Sequence, residues 1–504
     1  MKLQLIGHEH RYSVEQAVVA FLNRKASLCE EIPPEYTGDR LISKLSYGEK
    51  YITASAELII DGERYLQTSR SRISDVDSAS KRIGLEQHVL KQAVFKAVKQ
   101  ATGTEFPWGS LTGMRPTKLV LRMLEDGKTQ ATARRELIEK YKIFPERAKM
   151  AVEAASQGLA WKQRISEKDI SLYVGIPFCP TRCSYCSFVS SEIEKSRHLI
   201  EPYLEKLCDE IRQRGELVKE LGLRITSVYI GGGTPTSISA SQLDKLLSEI
   251  SGAFELDGVQ EYTVEAGRPD TITLEKLRVI KSYGVERLSI NPQSMAEDVL
   301  VCNRRSHTPD DVLRAFEQAR SCGFDCINMD TIAGLPGDSV EGFKATLRRL
   351  EEIRPENITV HTLALKRGSE LTERAGQDSR PDDVTAMLDF AHDFMYNVGY
   401  RPYYLYRQKY MAASLENIGW TLPNKESIYN ICSMEEFQTI ISMGAGAITK
   451  LVSPDGKKIK RLANNKFPAE YIESDDKIIS NGRKIRSFFL NIIYRGEGYT
   501  WYID

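Results

Sequence analysis

A chain of 504 residues exceeds what one hydrophobic core usually serves, so two or three domains are expected; 69 basic against 69 acidic residues give no bulk charge to attract nucleic acid or an anionic membrane. No apolar run approaches the roughly 18 to 20 residues that cross a bilayer, and the opening MKLQLIGHEHRY lacks a signal peptide's apolar segment, so a cytoplasmic location without a membrane partner is expected. Nine cysteines, an odd number and mostly scattered, argue against a disulfide framework and draw attention to the one place where three stand together.

In chain order, residues 1–165 read as a small α+β domain. KLQLIG suggests a strand, SVEQAVVAFLNRK a helix, and YITASAELIIDGERYLQTSR a hairpin turning at Asp61-Gly62, with a helix following over Ala79–Thr102. This βαββα order is compatible with many binding modules. The loop FPWGSLTGMRPTKLV, helices over Thr129–Tyr141 and Pro145–Trp161, and the linker QRISEKD come next.

Residues 166–400 alternate short β-branched runs with amphipathic helices. Strands are expected at Leu172–Ile176, Ile225–Ile230, Glu261–Glu265, Arg287–Ile290, Cys326–Ile332 and Ile358–Leu365, each followed by a helix-like stretch that in several cases opens on Ser, Thr or Pro and closes at Gly. Such alternation implies right-handed crossovers and a parallel sheet, open or curled into a partial barrel, with its chemistry at the C-terminal strand ends. Cys179, Gly231, Glu265, Gln293, Asp330 and His361 fall there. Residues 401–504, with the aromatic and basic RPYYLYRQKYM and the small-residue run SMGAGAITK, are expected to form a third, mixed segment covering the open side of the array.

The three cysteines lie in SLYVGIPFCPTRCSYCSFVS, as C-x3-C-x2-C on a loop leaving the first strand. Two metal sites compete. Zinc in a structural role wants a fourth protein ligand, for which Cys208 and His198 are the nearest candidates, at no familiar spacing. An iron-sulfur cluster held by Cys179, Cys183 and Cys186 would keep one iron open to an external ligand.

YVGIPFCPTRCSYCSF, with YIGGGTPT, TVEAGRPD, RLSINPQSM and NMDTIAGLPGDS after it in order, resembles the signatures of radical S-adenosylmethionine (SAM) enzymes and, more narrowly, of the oxygen-independent coproporphyrinogen III dehydrogenase family. With the N-terminal domain and LTGMRPTKL, the chain is most similar to the HemZ-type branch. The resemblance implies an α/β fold with a partial (β/α)6 barrel. It also implies a [4Fe-4S] cluster on Cys179, Cys183 and Cys186, and reductive cleavage of SAM to a primary radical. By position it places Gly232, Gly233 and Thr234 at the methionine end of SAM, Glu265 at its ribose or amino end, Gln293 and Arg305 at its carboxylate, Asp330 at the ribose hydroxyls and Tyr185 at the adenine. Tyr173 is implied near cluster and substrate, and His361 as a proton donor or substrate contact. Plain alternatives stand beside these roles: a tight turn for the glycines, a solvated strand cap for Glu265, core packing for Tyr173, a structural imidazole for His361, and a slip to Arg304 for Arg305.

The implied reaction is oxidative decarboxylation of two propionates of coproporphyrinogen III to give protoporphyrinogen IX, in haem biosynthesis, with electrons from a low-potential donor such as flavodoxin or ferredoxin. Arg401 and Arg407 are candidates to meet the substrate carboxylates. Two departures qualify the carry-over. The best-defined branch reads YVHIPFC and has a further cysteine two residues after the third ligand, where this chain has Gly175 and Phe188. The missing cysteine is shared with a haem-chaperone branch, so haem binding or trafficking is the alternative function.

Overall fold

The computed structural model describes residues 1–73, 79–113, 115–188, 190–364, 371, 381–407 and 415–493. Two units divide the chain, one of Met1–Val152 with Tyr406–Glu416, the other of Glu153–Leu405 with Asn417–Asp504.

The first unit runs β1 (Lys2–Ile6), α1 (Arg11–Leu22), β2 (Ser27–Cys29), β3 (Arg40–Tyr47), β4 (Tyr51–Ile60), β5 (Glu63–Arg72), α2 (Ala79–Thr102), α3 (Pro116–Glu125), α4 (Gln130–Tyr141) and the first part of α5 (Pro145–Lys162). Its sheet has the order β2-β1-β3-β4-β5, with β1 parallel to β2 and β3, and with β3, β4 and β5 antiparallel. Strand alternation sends Leu3, Leu41, Leu45, Ile52, Ala54 and Leu58 to one face, where Val14 and Val18 of α1 and Leu90 and Val94 of α2 bury them. Sequence reading misses β2 and β3. In RLISKLSY only Leu41 and Leu45 mark the inward side, and the buried Ser43 between them breaks the apolar rhythm. The units divide at Val152, inside α5, rather than at the expected boundary near residue 165.

The second unit continues with β6 (Asp169–Ile176), β7 (Phe178–Cys179), β8 (Ser191–Glu192), α6 (Ile193–Glu220), β9 (Arg224–Gly232), α7 (Ala240–Ala253), β10 (Glu261–Gly267), α8 (Leu274–Ser282), β11 (Arg287–Ile290), α9 (Glu297–Cys302), α10 (Pro309–Ser321), β12 (Cys326–Ala333), α11 (Val340–Ile353) and β13 (Asn357–Thr362). All six expected strands form, and β6-β9-β10-β11-β12-β13 pair in parallel in that order, the partial barrel of a radical SAM fold. Leu365, the expected end of the sixth strand, lies outside the described residues. Helix starts follow local chemistry: Ser239 and Gln242 form a capping box on α7, as do Thr308 and Asp311 on α10.

The rest of the chain is α12 (Pro381–Asn397), β14 (Arg401–Arg407), β15 (Glu416–Thr421), α13 (Ile428–Glu435), β16 (Thr439–Met443), β17 (Ile448–Val452), β18 (Ile459–Ala463), α14 (Pro468–Ile472) and α15 (Asp475–Ile493). Instead of a separate covering segment, its strands extend the barrel sheet at both ends, β15 antiparallel to β13 and β16 parallel to β6. The small-residue run has a steric cause. At Gly444, with φ at +102°, a Cβ would stand 2.6 Å from the Gly175 carbonyl oxygen and 2.7 Å from the Tyr203 hydroxyl. Among the described residues no helix is long and apolar enough to cross a membrane.

Helix α13 is held by a buried carboxylate. Glu261, at the start of β10, accepts from the Ser427 hydroxyl at 2.8 Å, from the Ile428 N–H, and from the Thr263 hydroxyl at 3.0 Å, which is N-terminal capping by a side chain from another element. Replacing Glu261 by Ala strands these donors inside the protein and should cost about 3 kcal/mol, seen as a lower urea midpoint. Glu261→Gln, which keeps one acceptor, should cost clearly less.

Candidate functional site

Most residues of the parallel strands are buried, and among the exceptions six side chains mark a wall: Tyr173 on β6, Tyr229 on β9, Glu265 on β10, Asp330 on β12 and His361 on β13, all in the C-terminal half of their strands, and Asn328, two residues before Asp330 on β12. The Tyr173 and Tyr229 rings stack 6.3 Å apart from paired positions on adjacent strands. Beneath them Tyr429 of α13 stacks on Tyr229 at 4.4 Å and faces Tyr173 at 6.4 Å. The Glu261 cap on α13 therefore seats this third ring.

Two carboxylates share the wall and are driven apart electrically. Burial pushes Glu265 up from the ordinary 4.5 to about 7, against a hydrogen bond from the Tyr229 hydroxyl and with help from the charge of Asp330. Asp330 moves the other way. Burial raises it, but His361, whose Nε2 lies 3.6 Å from its Oδ2, and the Asn328 amide, which donates at 2.8 Å, together hold it below the usual carboxylate range. Near neutral pH Glu265 is thus poised between its two forms while Asp330 is ionised, the pattern of paired acids with separate roles.

The cysteine loop is fastened to this wall by backbone. Gly233 N–H donates to Ile176 O and Thr234 N–H to Phe178 O, both at 2.8 Å, and the Thr234 hydroxyl reaches Cys179 Sγ at 3.5 Å. There is no room for side chains along the glycine run: a Cβ on Gly233 would meet Phe178 O at 2.6 Å and Cys179 Sγ at 3.0 Å, and one on Gly231 would meet Glu265 Oε2 at 2.7 Å. Gly232 takes φ at +114°. The run is demanded by the protein's own loop before any ligand is considered.

Other contacts set the far side of the loop. Buried Arg305 points its Nη1 at the Tyr185 hydroxyl, 3.2 Å, and at Cys183 Sγ, 3.7 Å, and donates from Nη2 to Asn291 O. Arg304 is exposed, in the left-handed region at φ +57°, so of the two it is Arg305 that lies against Cys183 and Tyr185. Arg268 donates to the Thr181 hydroxyl at 2.7 Å while pairing bidentately with Asp270. Tyr185 packs on Val299, Ile332, Leu335 and Leu363. Gln293 holds φ at +67°, strained for a residue with a side chain, because its N–H donates to Asp330 O and its carbonyl accepts from Ile332 N–H.

The donor set fits a thiolate-bound cluster with a polar ligand beside it. Burial raises the Cys179 thiol and pushes Cys186 to about 11, so these two thiolates need a nearby cation to form at neutral pH. A cluster, unlike a single zinc ion, is held by cysteines that bind different irons. Of the candidate fourth zinc ligands, Cys208 is buried on α6 and His198 is exposed on the same helix. Gln293 Oε1 and Arg305 Nε are buried with no hydrogen-bond partner, an acceptor and a donor left for a polar molecule.

Arg401 and Arg407 do not join the site. Arg401 donates to the Tyr396 and Tyr400 carbonyls, beside the Tyr400 hydroxyl bound to Pro355 O, at the opposite end of the strands. Arg407 is buried in the first unit, where it donates to Leu111 O at 2.6 Å over the Trp108 ring. Gln408–Met411 of that run lie outside the described residues. Tyr403 and Tyr404 are core side chains. Sequence reading missed Tyr229, Asn328 and Tyr429. Tyr229 could have been found by alternation, two residues before Gly231 on the same strand face, whereas Tyr429 arrives by a long-range contact that leaves no local signal.

Comparison with known proteins agrees with this geometry. The radical SAM superfamily pattern matches residues 173–350. The chain is 38% identical over 460 residues to the oxygen-independent coproporphyrinogen-III oxidase-like protein HemZ of Bacillus subtilis, covering 88% of this chain and 90% of HemZ. It is 30% identical over 285 residues to the heme chaperone HemW of Lactococcus lactis, covering 56% of this chain and 69% of HemW. Among solved structures, coproporphyrinogen III oxidase HemN from Escherichia coli, described as a radical SAM enzyme, superposes with a TM-score of 0.51 at 24% identity, over 64% of this chain and 72% of HemN, a likeness of fold.

The Glu265 shift has a sign that can be read. A carboxyl whose value rises from 4.5 to about 7 takes up a proton on folding, so its stabilisation is complete below about pH 4.5 and is lost as pH rises through 7. Denaturant titrations of the metal-free protein should show wild type losing up to about 3 kcal/mol relative to Glu265→Gln between those limits. A parallel pH dependence in the two proteins would place the proton elsewhere.

Proposed function

The chain belongs to the HemZ-type family of radical SAM proteins, which works with a [4Fe-4S] cluster and SAM, and from that premise we propose that it converts coproporphyrinogen III to protoporphyrinogen IX without oxygen. The observation that carries the reading is the wall itself, an aromatic and acidic lining beside the three-cysteine loop. When bound, cluster and SAM supply a one-electron cleavage that yields a primary radical able to take hydrogen from an unactivated carbon.

In this reading Cys179, Cys183 and Cys186 hold the cluster. Arg305 and Gln293 offer their free atoms to the carboxylate end of SAM, Glu265 and Asp330 accept from its ribose or amino groups, and Tyr185 lies against the adenine. Gly232, Gly233 and Thr234 keep backbone close to the methionine end. Tyr173 and His361 face the substrate, His361 oriented by the Asp330 carboxylate. The stacked tyrosines and the seated α13 exclude water from below. Each propionate would lose carbon dioxide, one hydrogen atom from its β-carbon to the SAM-derived radical and one electron to an external one-electron acceptor, while a flavodoxin- or ferredoxin-type carrier would supply the separate electron that cleaves SAM.

A second reading, haem binding or delivery with the cluster retained, is favoured by two positions. Phe188 is 68% exposed beside the loop where the dehydrogenase branch has a cysteine. Gly175 lies on the Tyr173 face, and a Cβ there would make ordinary contacts at 3.4 to 3.6 Å with Tyr173, Met443 O and Ala445 O, so the backbone does not itself require glycine where the dehydrogenase branch has histidine. An anaerobic assay with reductant, SAM and coproporphyrinogen III, followed by product masses, separates the two. Two successive losses of carbon dioxide with two hydrogens support the enzyme, and tight haem binding without turnover supports the carrier. Cys183→Ala should lose most of the iron in either case, and turnover with it if the protein is the enzyme.

A further inference from the structure

We propose that the open face of the five-stranded sheet in the first unit binds single-stranded RNA. Helices α1 and α2 cover one face of that sheet, and alternation sends the intervening residues of β3, β4 and β5 to the other. On that face the paired rows read Lys44–Ser55–Thr68, Ser46–Thr53–Arg70 and Tyr51–Arg72. Lys44, Ser46, Thr68, Arg70 and Arg72 are exposed, and Thr53, Ser55 and Tyr51 are half-buried.

The composition is what a sugar–phosphate strand needs. Three cations flank a stripe of four hydroxyls, and those rows hold no carboxylate. The nearest acid on the face, Glu57, is neutralised by a bidentate pair with Arg64 at 2.9 and 3.0 Å. The hairpin turn adds one residue of each sign, Glu49 and Lys50. Arg70 and Arg72 stand over the Tyr51 ring at 5.2 and 5.9 Å, and Arg72 also donates to its hydroxyl at 3.3 Å, so cations and ring are preset as one platform.

A bland account exists for part of this: charges on an edge strand deter pairing with another sheet, and β5 is an edge. It does not reach Lys44, which sits on β3 inside the sheet, nor the hydroxyl stripe between the two. Arginines two residues apart on a strand stand about 6.8 Å from each other, a repeat that neighbouring phosphates of an extended strand can meet, while the ring offers a stacking surface for a base. A duplex would present its phosphates around a cylinder rather than along a flat row. The neutral total of the chain hides this local excess, which is why bulk charge argues against nucleic acid.

Fluorescence anisotropy of a labelled oligouridylate with the full chain tests the proposal. Three phosphate contacts predict a slope of about −2 in log affinity against log salt, falling to about −0.7 when Arg70 and Arg72 are both changed to Gln. Tyr51→Leu should weaken binding roughly tenfold, with unfolding midpoints showing that each variant is folded. The proposal fails if the oligonucleotide does not bind at low salt, if Lys44→Gln with Arg70→Gln and Arg72→Gln leaves affinity unchanged, or if poly-glutamate or a duplex competes as well as single-stranded RNA.

Discussion

The site depends on a pair of backbone hydrogen bonds: Gly233 to Ile176 and Thr234 to Phe178, both at 2.8 Å. They bind the loop that leaves β6 to the loop that leaves β9, and so fix the first cysteine against the rim of the sheet. The glycines follow from that approach, since a side chain at Gly233 would stand where Phe178 O and Cys179 Sγ already are. The same closeness brings Gly231 under Glu265, so the loop clamp and the carboxylate wall are one construction. Loss of either bond would free the cysteine loop from the groups that give it a ligand-binding neighbour.

Below the rim the interior is closed by charge as much as by packing. Glu261 and Glu265 lie on the same face of β10, four residues apart, with opposite tasks. The lower one is spent on capping α13, which seats Tyr429. The upper one meets Tyr229 and stays half-buried among the wall residues. Asp330 is kept ionised by His361 on the neighbouring strand and by Asn328, two residues back on its own. A barrel whose floor is plugged by a helix and whose upper wall carries aromatic rings and one ionised acid is suited to a flat, carboxylate-bearing ring system only if the cations come from elsewhere. Arg401 and Arg407 do not supply them.

Much of the fold was legible because parallel strands buried on both sides leave uninterrupted apolar runs. All six were found by that signal, and the motif residues at their ends fell where topology puts chemistry. The cysteine cluster was legible from its own spacing, Glu265 and Asp330 from their places at strand ends together with the family resemblance, and Arg305 from the resemblance alone. What was missed is long-range. Tyr429 reaches the cavity only because Glu261 caps its helix from far away in sequence. The C-terminal strands joined both ends of the sheet because edge pairing leaves no periodic mark of its partner. β3 escaped because one buried serine interrupts its pattern. The basic face of the first unit escaped because it exists only after three strands pair.

The central claim is that three thiolates hold a cluster with one iron open to SAM, beside Arg305 and Gln293. Electron paramagnetic resonance of the anaerobically reconstituted, reduced protein, recorded before and after adding SAM, tests it most directly. The account predicts a reduced [4Fe-4S] signal whose g-values shift when SAM is added, and a smaller shift at the same SAM concentration in Arg305→Met. A cluster signal indifferent to SAM, or a protein that takes up zinc and no iron, would contradict it.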